Sequence, residues 1–185
     1  MARIPFVIRD DVEQNERPAF DAFVKERGKV PDAGPYALLL HIPEVAQRLE
    51  SLRVCIREEK SLSQKIQELV MLTVAREMDC AYIWHAHAAI ARETGVRNEI
   101  VDNLREKRAL TGLDPDQQAA VDFARELLQT RKVTEATFER AKTSFGRRGT
   151  LTLTSLISAY AMLAYVMNAY ALEAPEHATE KALPL

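Results

Sequence analysis

Glu68, Cys80 and His87 put an acid, a thiol and an imidazole into the stretch ELVMLTVAREMDCAYIWHAH, whose two runs are otherwise largely apolar. Such a set can move a proton, attack as a nucleophile or hold a metal, and helical geometry separates these options. Each helical residue advances about 100°, so Cys80, Ile83, Trp84 and His87, at i, i+3, i+4 and i+7, share one stripe. His85 and His87 point roughly 200° apart on a helix, so an H-x-H pair there does not chelate and no metal site is expected. His41 and His177 fall in a loop and in the tail and carry no pattern.

Glu68 is followed by Leu69, Val70, Met71 and Leu72. It either turns to water on a polar edge shared with Gln64 and Lys65, or is held inside by a partner, because an unpaired buried carboxylate is protonated or very costly. His87 lies in the alanine-rich run AHAAIA on the following helix. It is read either as a core histidine satisfied by a backbone or hydroxyl partner, or as a general acid or base whose tautomer is set by Glu68. In the second reading the two form a proton relay. Cys80 is a small packing residue or, with Asp79 as helix cap, a first-turn thiol on which helix amides and the neighbouring carboxylate act in opposite directions. Tyr82, Ile83 and Trp84 are the candidates for a substrate wall, with Trp84, on the stripe of His87, preferred over Tyr82. Arg76, Arg92 and Arg97 are available for a substrate carboxylate, although surface pairing is the commoner use of each.

The elements that must position these groups are helices. Six glycines and eight prolines in 185 residues are few, and the abundance of Ala, Leu, Glu, Arg and Gln favours long helices over sheet. The expected order is a charged helix over 10–27, an apolar turn at 36–40, and a helix from Pro43 to Glu59. A helix capped by Ser61 or Ser63 then runs to Glu77, and another, capped by Asp79, runs from Cys80 to Thr94 and stops at Gly95. A short helix from Asn98 ends at Thr111-Gly112. Helices over 115–130, opened by an Asp114–Gln117 capping box, 134–145 and 150–172 complete the chain. A chain of this length forms one core, so the expectation is a single-domain, all-α multi-helix bundle over 15–172, with an N-terminal arm at 1–14 and a C-terminal tail at 173–185 that frays from Pro175.

The spacing of Glu68, Cys80, Tyr82 and His87 resembles the signature E-x11-C-x-Y-C-x3-H of the thiol-active branch of the alkyl hydroperoxidase D and carboxymuconolactone decarboxylase superfamily. The segments LDPDQQAAVDFARELL, VTEATFERAKTSFG and TLTLTSLISAYAMLAYVMNAYAL, with GPYALLLHIPEVAQRLESL near the start, extend the resemblance over roughly positions 15 to 172. It implies the alkyl hydroperoxidase D-like helical fold, catalytic roles for Glu68, His87 and Cys80, and a homo-oligomer, whether dimer, trimer or hexamer. One position departs from the pattern. Ile83 stands where the thiol-active branch has its second cysteine, and one cysteine cannot close a dithiol cycle. The leading expectation is therefore a decarboxylase-type lyase that uses the Glu68–His87 relay on a small organic acid or lactone, without a cofactor. The alternatives are a peroxiredoxin-like thiol antioxidant acting through Cys80 alone, and a non-catalytic oligomeric ligand binder.

With 25 basic and 27 acidic residues the net charge is -2, which leaves no field for nucleic acid or an anionic membrane. The 149–172 stretch is free of charge and long enough to cross a bilayer, but its threonines, serines and alanines suit a buried helix of a soluble bundle, and no membrane partner is expected. Two cysteines and no apolar leader point to the cytoplasm.

Overall fold

Proline and capping residues set most helix starts. In the computed structural model, which describes residues 2–174 and 179–184, a 3-10 turn at Arg9–Asp11 precedes α1 (Arg17–Arg27), α2 (Pro35–Leu39), α3 (Pro43–Glu58), α4 (Gln64–Glu77), α5 (Ala81–Glu93), α6 (Asn98–Arg105), α7 (Pro115–Thr130) and α8 (Glu135–Ala169). The Ser63 hydroxyl accepts the Ile66 amide at 3.3 Å and opens α4, and the Asp114 amide donates to Gln117 Oε1 at 3.1 Å at the start of α7. α1 is shorter than its sequence pattern suggests. Pro18, in its first turn, can open a helix but cannot carry one through from Asp10.

Two further boundaries differ from expectation. Asp79 does not cap α5. It has φ 49°, the left-handed conformation that Asp tolerates, and so turns the chain between α4 and α5. Its carboxylate pairs with Arg76 and Lys107, while Cys80 takes the cap position without a side-chain hydrogen bond. α6 ends at Arg105, ahead of Thr111, because Lys107 adopts φ 55°.

α4 is the axis of the molecule, packed against α5, α6, α7 and α8. Every residue from Ile66 to Arg76 is buried, so its polar groups need partners inside the protein. The Gln67 amide donates to the carbonyls of Arg57 and Leu62, and the Thr73 hydroxyl to that of Leu69. The Arg76 guanidinium donates to the carbonyls of Arg105 and Pro184.

α8 breaks at Gly146, whose φ of 68° and ψ of 178° interrupt the helix. Its second half is long and apolar enough to cross a membrane, yet 56% of its most apolar window is buried against the other helices. Thr150, Thr152, Thr154, Ser155 and Ser158 each donate their hydroxyl to the carbonyl four residues back. That local bonding lets an uncharged, hydroxyl-rich helix pack without stranded donors.

Both ends of the chain are tied to the body. The arm is held by the Arg3 amide on the Tyr170 carbonyl and by His41 Nε2 on the Pro5 carbonyl, both at 2.9 Å. Residues 179–184 do not fray. Leu183 is buried, Trp84 Nε1 donates to the Lys181 carbonyl, and Arg92 pairs with Glu180. Pro175 and His177, where fraying was expected to begin, lie outside the described residues.

Gly146 occupies a backbone region open essentially to glycine, with free space around it. Gly146→Ala is expected to lower unfolding stability by about 1–3 kcal/mol through backbone strain alone. Denaturant unfolding measures this, and a loss within experimental error would mean that the break relaxes without cost.

Candidate active site

The end of α3, the middle of α4 and the second turn of α5 bring Arg57, Glu68 and His87 together. Glu68, fully buried in α4, accepts His87 Nδ1 at 2.8 Å on one carboxylate oxygen and Arg57 Nη2 at 2.7 Å on the other. An ionised carboxylate only accepts hydrogen bonds, so the proton sits on Nδ1 and leaves Nε2 to exchange a proton elsewhere. Burial pushes the Glu68 carboxyl upward, but His87 first and Arg57 second more than offset this and hold it below the ordinary range. Tyr160 of α8 meets the His87 ring edge-on, with centroids 5.3 Å apart, and fixes the plane of the imidazole.

His87 faces a cavity of about 270 Å³ together with Tyr82, Ile83, Tyr36, Tyr160, Arg27 and Arg53. A second cavity of about 650 Å³, walled by the N-terminal arm and by Leu172, adjoins it. The two share Ala33, Gly34 and Tyr82. Gly34 has φ 80°, and a Cβ there would lie 2.8 Å from the Tyr82 hydroxyl oxygen. Only glycine lets the tyrosine ring lie across the passage.

The expected site residues separate into two groups. Glu68 and His87 meet, and Tyr82 and Ile83 line the same cavity as His87. Cys80 and Trp84 do not line it. Trp84 is fully buried with its indole N–H on the Lys181 carbonyl, so the preference for it over Tyr82 as a wall residue is reversed: the α5 stripe rotates Trp84 into the core beneath the C-terminal segment. Cys80 is also buried, and burial pushes its thiol up while the Ile83 and Tyr82 amides pull it only partly back. A thiol in that setting is a poor nucleophile.

The two arginines that line the cavity were not among those singled out in the sequence. Arg27 comes from the last turn of α1 and Arg53 from α3, whereas Arg76, Arg92 and Arg97 are spent elsewhere, on carbonyls or on Glu180. Arg53 donates Nε and Nη2 to Glu50 at 2.7 and 2.8 Å, and Arg27 donates Nη1 to the same carboxylate at 2.8 Å. The only local signal was the i, i+3 spacing of Glu50 and Arg53, which reads as a surface pair until Arg27 closes over it.

Glu68 to Gln keeps the shape and removes the charge, which leaves two buried donors short of an anion. Breaking such a pair is expected to cost about 2–4 kcal/mol at neutral pH. The folded carboxyl lies below its unfolded value, so this stabilisation is complete above the ordinary carboxylate range and fades as pH falls through the lowered value. Urea unfolding of wild type and Glu68→Gln should therefore show a gap at pH 7 that narrows as the pH is taken down through and below the ordinary carboxylate range. A gap independent of pH would show that the charge is not what is lost.

Comparison with known proteins places this geometry. Residues 43–126, which contain Glu68, Cys80 and His87, match the carboxymuconolactone decarboxylase family. A comparison with curated proteins finds no match. Among solved structures, a peroxidase-related protein from Silicibacter sp. TM1040 is similar with TM-score 0.74 at 18% identity, over 97% of this chain and 95% of that one. The alkylhydroperoxidase AhpD core protein from Ralstonia eutropha JMP134 follows at TM-score 0.72 and 18% identity, covering 95% and 93%. A debrominase, Bmp8, solved with 2,3,4-tribromopyrrole, has TM-score 0.70 at 16% identity, covering 94% and 91%. Residues 43–126 thus match the carboxymuconolactone decarboxylase family, and the chain as a whole has the fold of the alkylhydroperoxidase AhpD core protein.

Proposed function

We propose that this protein is a carboxymuconolactone decarboxylase-type enzyme in which His87, held by Glu68, transfers a proton at a carbon next to a carbonyl of a small organic acid or lactone. The observation that carries this reading is the ring orientation: Nδ1 is bound to a fully buried carboxylate, and the ring lines a cavity. In the decarboxylation direction the bond from carbon to the departing carboxylate breaks, and its electron pair becomes an enolate. His87 Nε2–H then gives its proton to the carbanionic carbon, while Glu68 balances the charge on the ring. Ile83, Leu163 and Met167 line the cavity and keep water from a developing carbanion. The Bmp8 debrominase with its bound bromopyrrole supports this scaffold as one that can enclose a small ring.

Proton transfer of this kind is visible without the natural substrate. Levulinate, a small keto acid, incubated with the protein in D2O should exchange its carbonyl-adjacent protons, followed by proton NMR. His87→Gln is expected to slow that exchange by about 10²-fold or more. Equal rates in the two proteins would assign the exchange to another group.

The thiol-antioxidant alternative loses support because Cys80 is buried away from the cavity. Ile83→Cys tests the scaffold directly, since it restores the missing spacing to Cys80. The variant is expected to form a bond between positions 80 and 83 on mild oxidation and to gain dithiol-dependent peroxide reduction. A variant that folds yet stays reduced and inert would show that this site departs from the thiol-active geometry by more than one residue.

A further inference from the structure

Arg27 and Arg53 line the inner cavity together with His87, whereas their hydrogen-bond partners Glu50 and Glu68 do not, and no acidic side chain among the described residues does. The two guanidiniums share the single Glu50 carboxylate, which is buried at 6% exposure. One positive charge of the couple is therefore left without a carboxylate of its own. Arg27 commits only Nη1, so its Nε and Nη2 donate to no described residue. Its guanidinium lies 4.9 Å from the Tyr36 ring centroid and 5.7 Å from that of Phe23, a stack that holds the group flat and in place.

Two hydroxyls extend the pattern. Tyr36 lines the same cavity, and its buried hydroxyl lies beside Glu50; burial first and that carboxylate second push the phenol up. Tyr160 meets the His87 ring edge-on, and burial pushes its phenol up while Arg57 and Arg53 pull it only partly back. The cavity is thus lined by two guanidiniums and these two tyrosines as well as by Ile83, Leu163 and Met167.

From this arrangement we infer that Arg27 and Arg53 form an anion site that anchors a carboxylate of the substrate, so that the ligand class is a small carboxylate anion and not a neutral lactone, ester or peroxide. The inference rests on the proposed proton-transfer reading only for what happens at the other end of the ligand. An anchor of this kind binds ground state and transition state alike. The carboxylate it holds is therefore one that survives the reaction, and the carbon at His87 carries the bond that changes.

Isothermal titration with two pairs of probes tests the site: levulinate against methyl levulinate, and benzoate against methyl benzoate. Wild type is expected to bind at least one acid about tenfold or more tighter than its ester, the size of a charge-assisted hydrogen-bond pair. Arg53→Gln and Arg27→Gln should each abolish that preference. Glu50→Gln, checked for folding by circular dichroism, should strengthen it, since it frees both guanidiniums; a purely structural ion cluster would show no such gain. If wild type holds neither acid more tightly than its ester, or if Glu50→Gln is folded and binds the acid no better, the couple is not an anion site. The proton-transfer reading fails separately: preference for the acid without exchange in D2O would overturn that reading and leave the anion site standing. Exchange on acid and ester alike would do the reverse.

Discussion

The burial of one carboxylate organises this protein. Glu68 sits midway along a helix that is enclosed on every side, and an ionised group there is tolerated only with donors that replace water. One donor comes from α3 and the other from α5, so the hydrogen bonds that make the acid tolerable also fix the rotation of both helices about α4. The direction in which the His87 ring points follows from that rotation. A site built this way is preorganised by the core rather than by mobile loops.

The cavity inherits its electrostatic character from the same device used twice. Glu68 stands behind His87, and Glu50 stands behind the two arginines, each acid orienting its hydrogen-bond donors without lining the space they face. The result is a small chamber lined by two guanidiniums, an imidazole and aliphatic side chains, with neither carboxylate in its wall. Tyr82, lying against Gly34, separates that chamber from the wider cavity under the N-terminal arm. Because Gly34 has a backbone conformation suited to glycine, loop geometry and access to the site are linked.

Likeness to peroxidase-related proteins and to a debrominase at 16–18% identity establishes the fold, and a fold carries many chemistries. What distinguishes this chain lies in the cavity wall. Ile83 occupies the position at which a second thiol would face His87. The remaining cysteine is packed at the head of α5, where burial raises its pKa. The thiol is part of the core, whereas the imidazole, held by the buried acid behind it, faces the cavity.

The helical class, the family signature and the Glu68–His87 pair were legible in the sequence because each rests on local periodicity or on the cost of burying an unpaired acid. Capping residues at Ser63 and Asp114 and the break at Gly146 were legible for the same local reason. The sequence did not reveal that Asp79 would turn left-handed, that 179–184 would cover Trp84, or that Cys80 would leave the site, since these depend on what packs against them from distant segments. Arg27 and Arg53 are the clearest case. In the sequence they are two of 25 basic residues, and only the packing of α1 on α3 brings both to one carboxylate and turns them toward His87. Sequence by itself determined which chemistry was available; the tertiary structure decided which groups face a common space, because charge and burial act through distances that the order of residues does not contain.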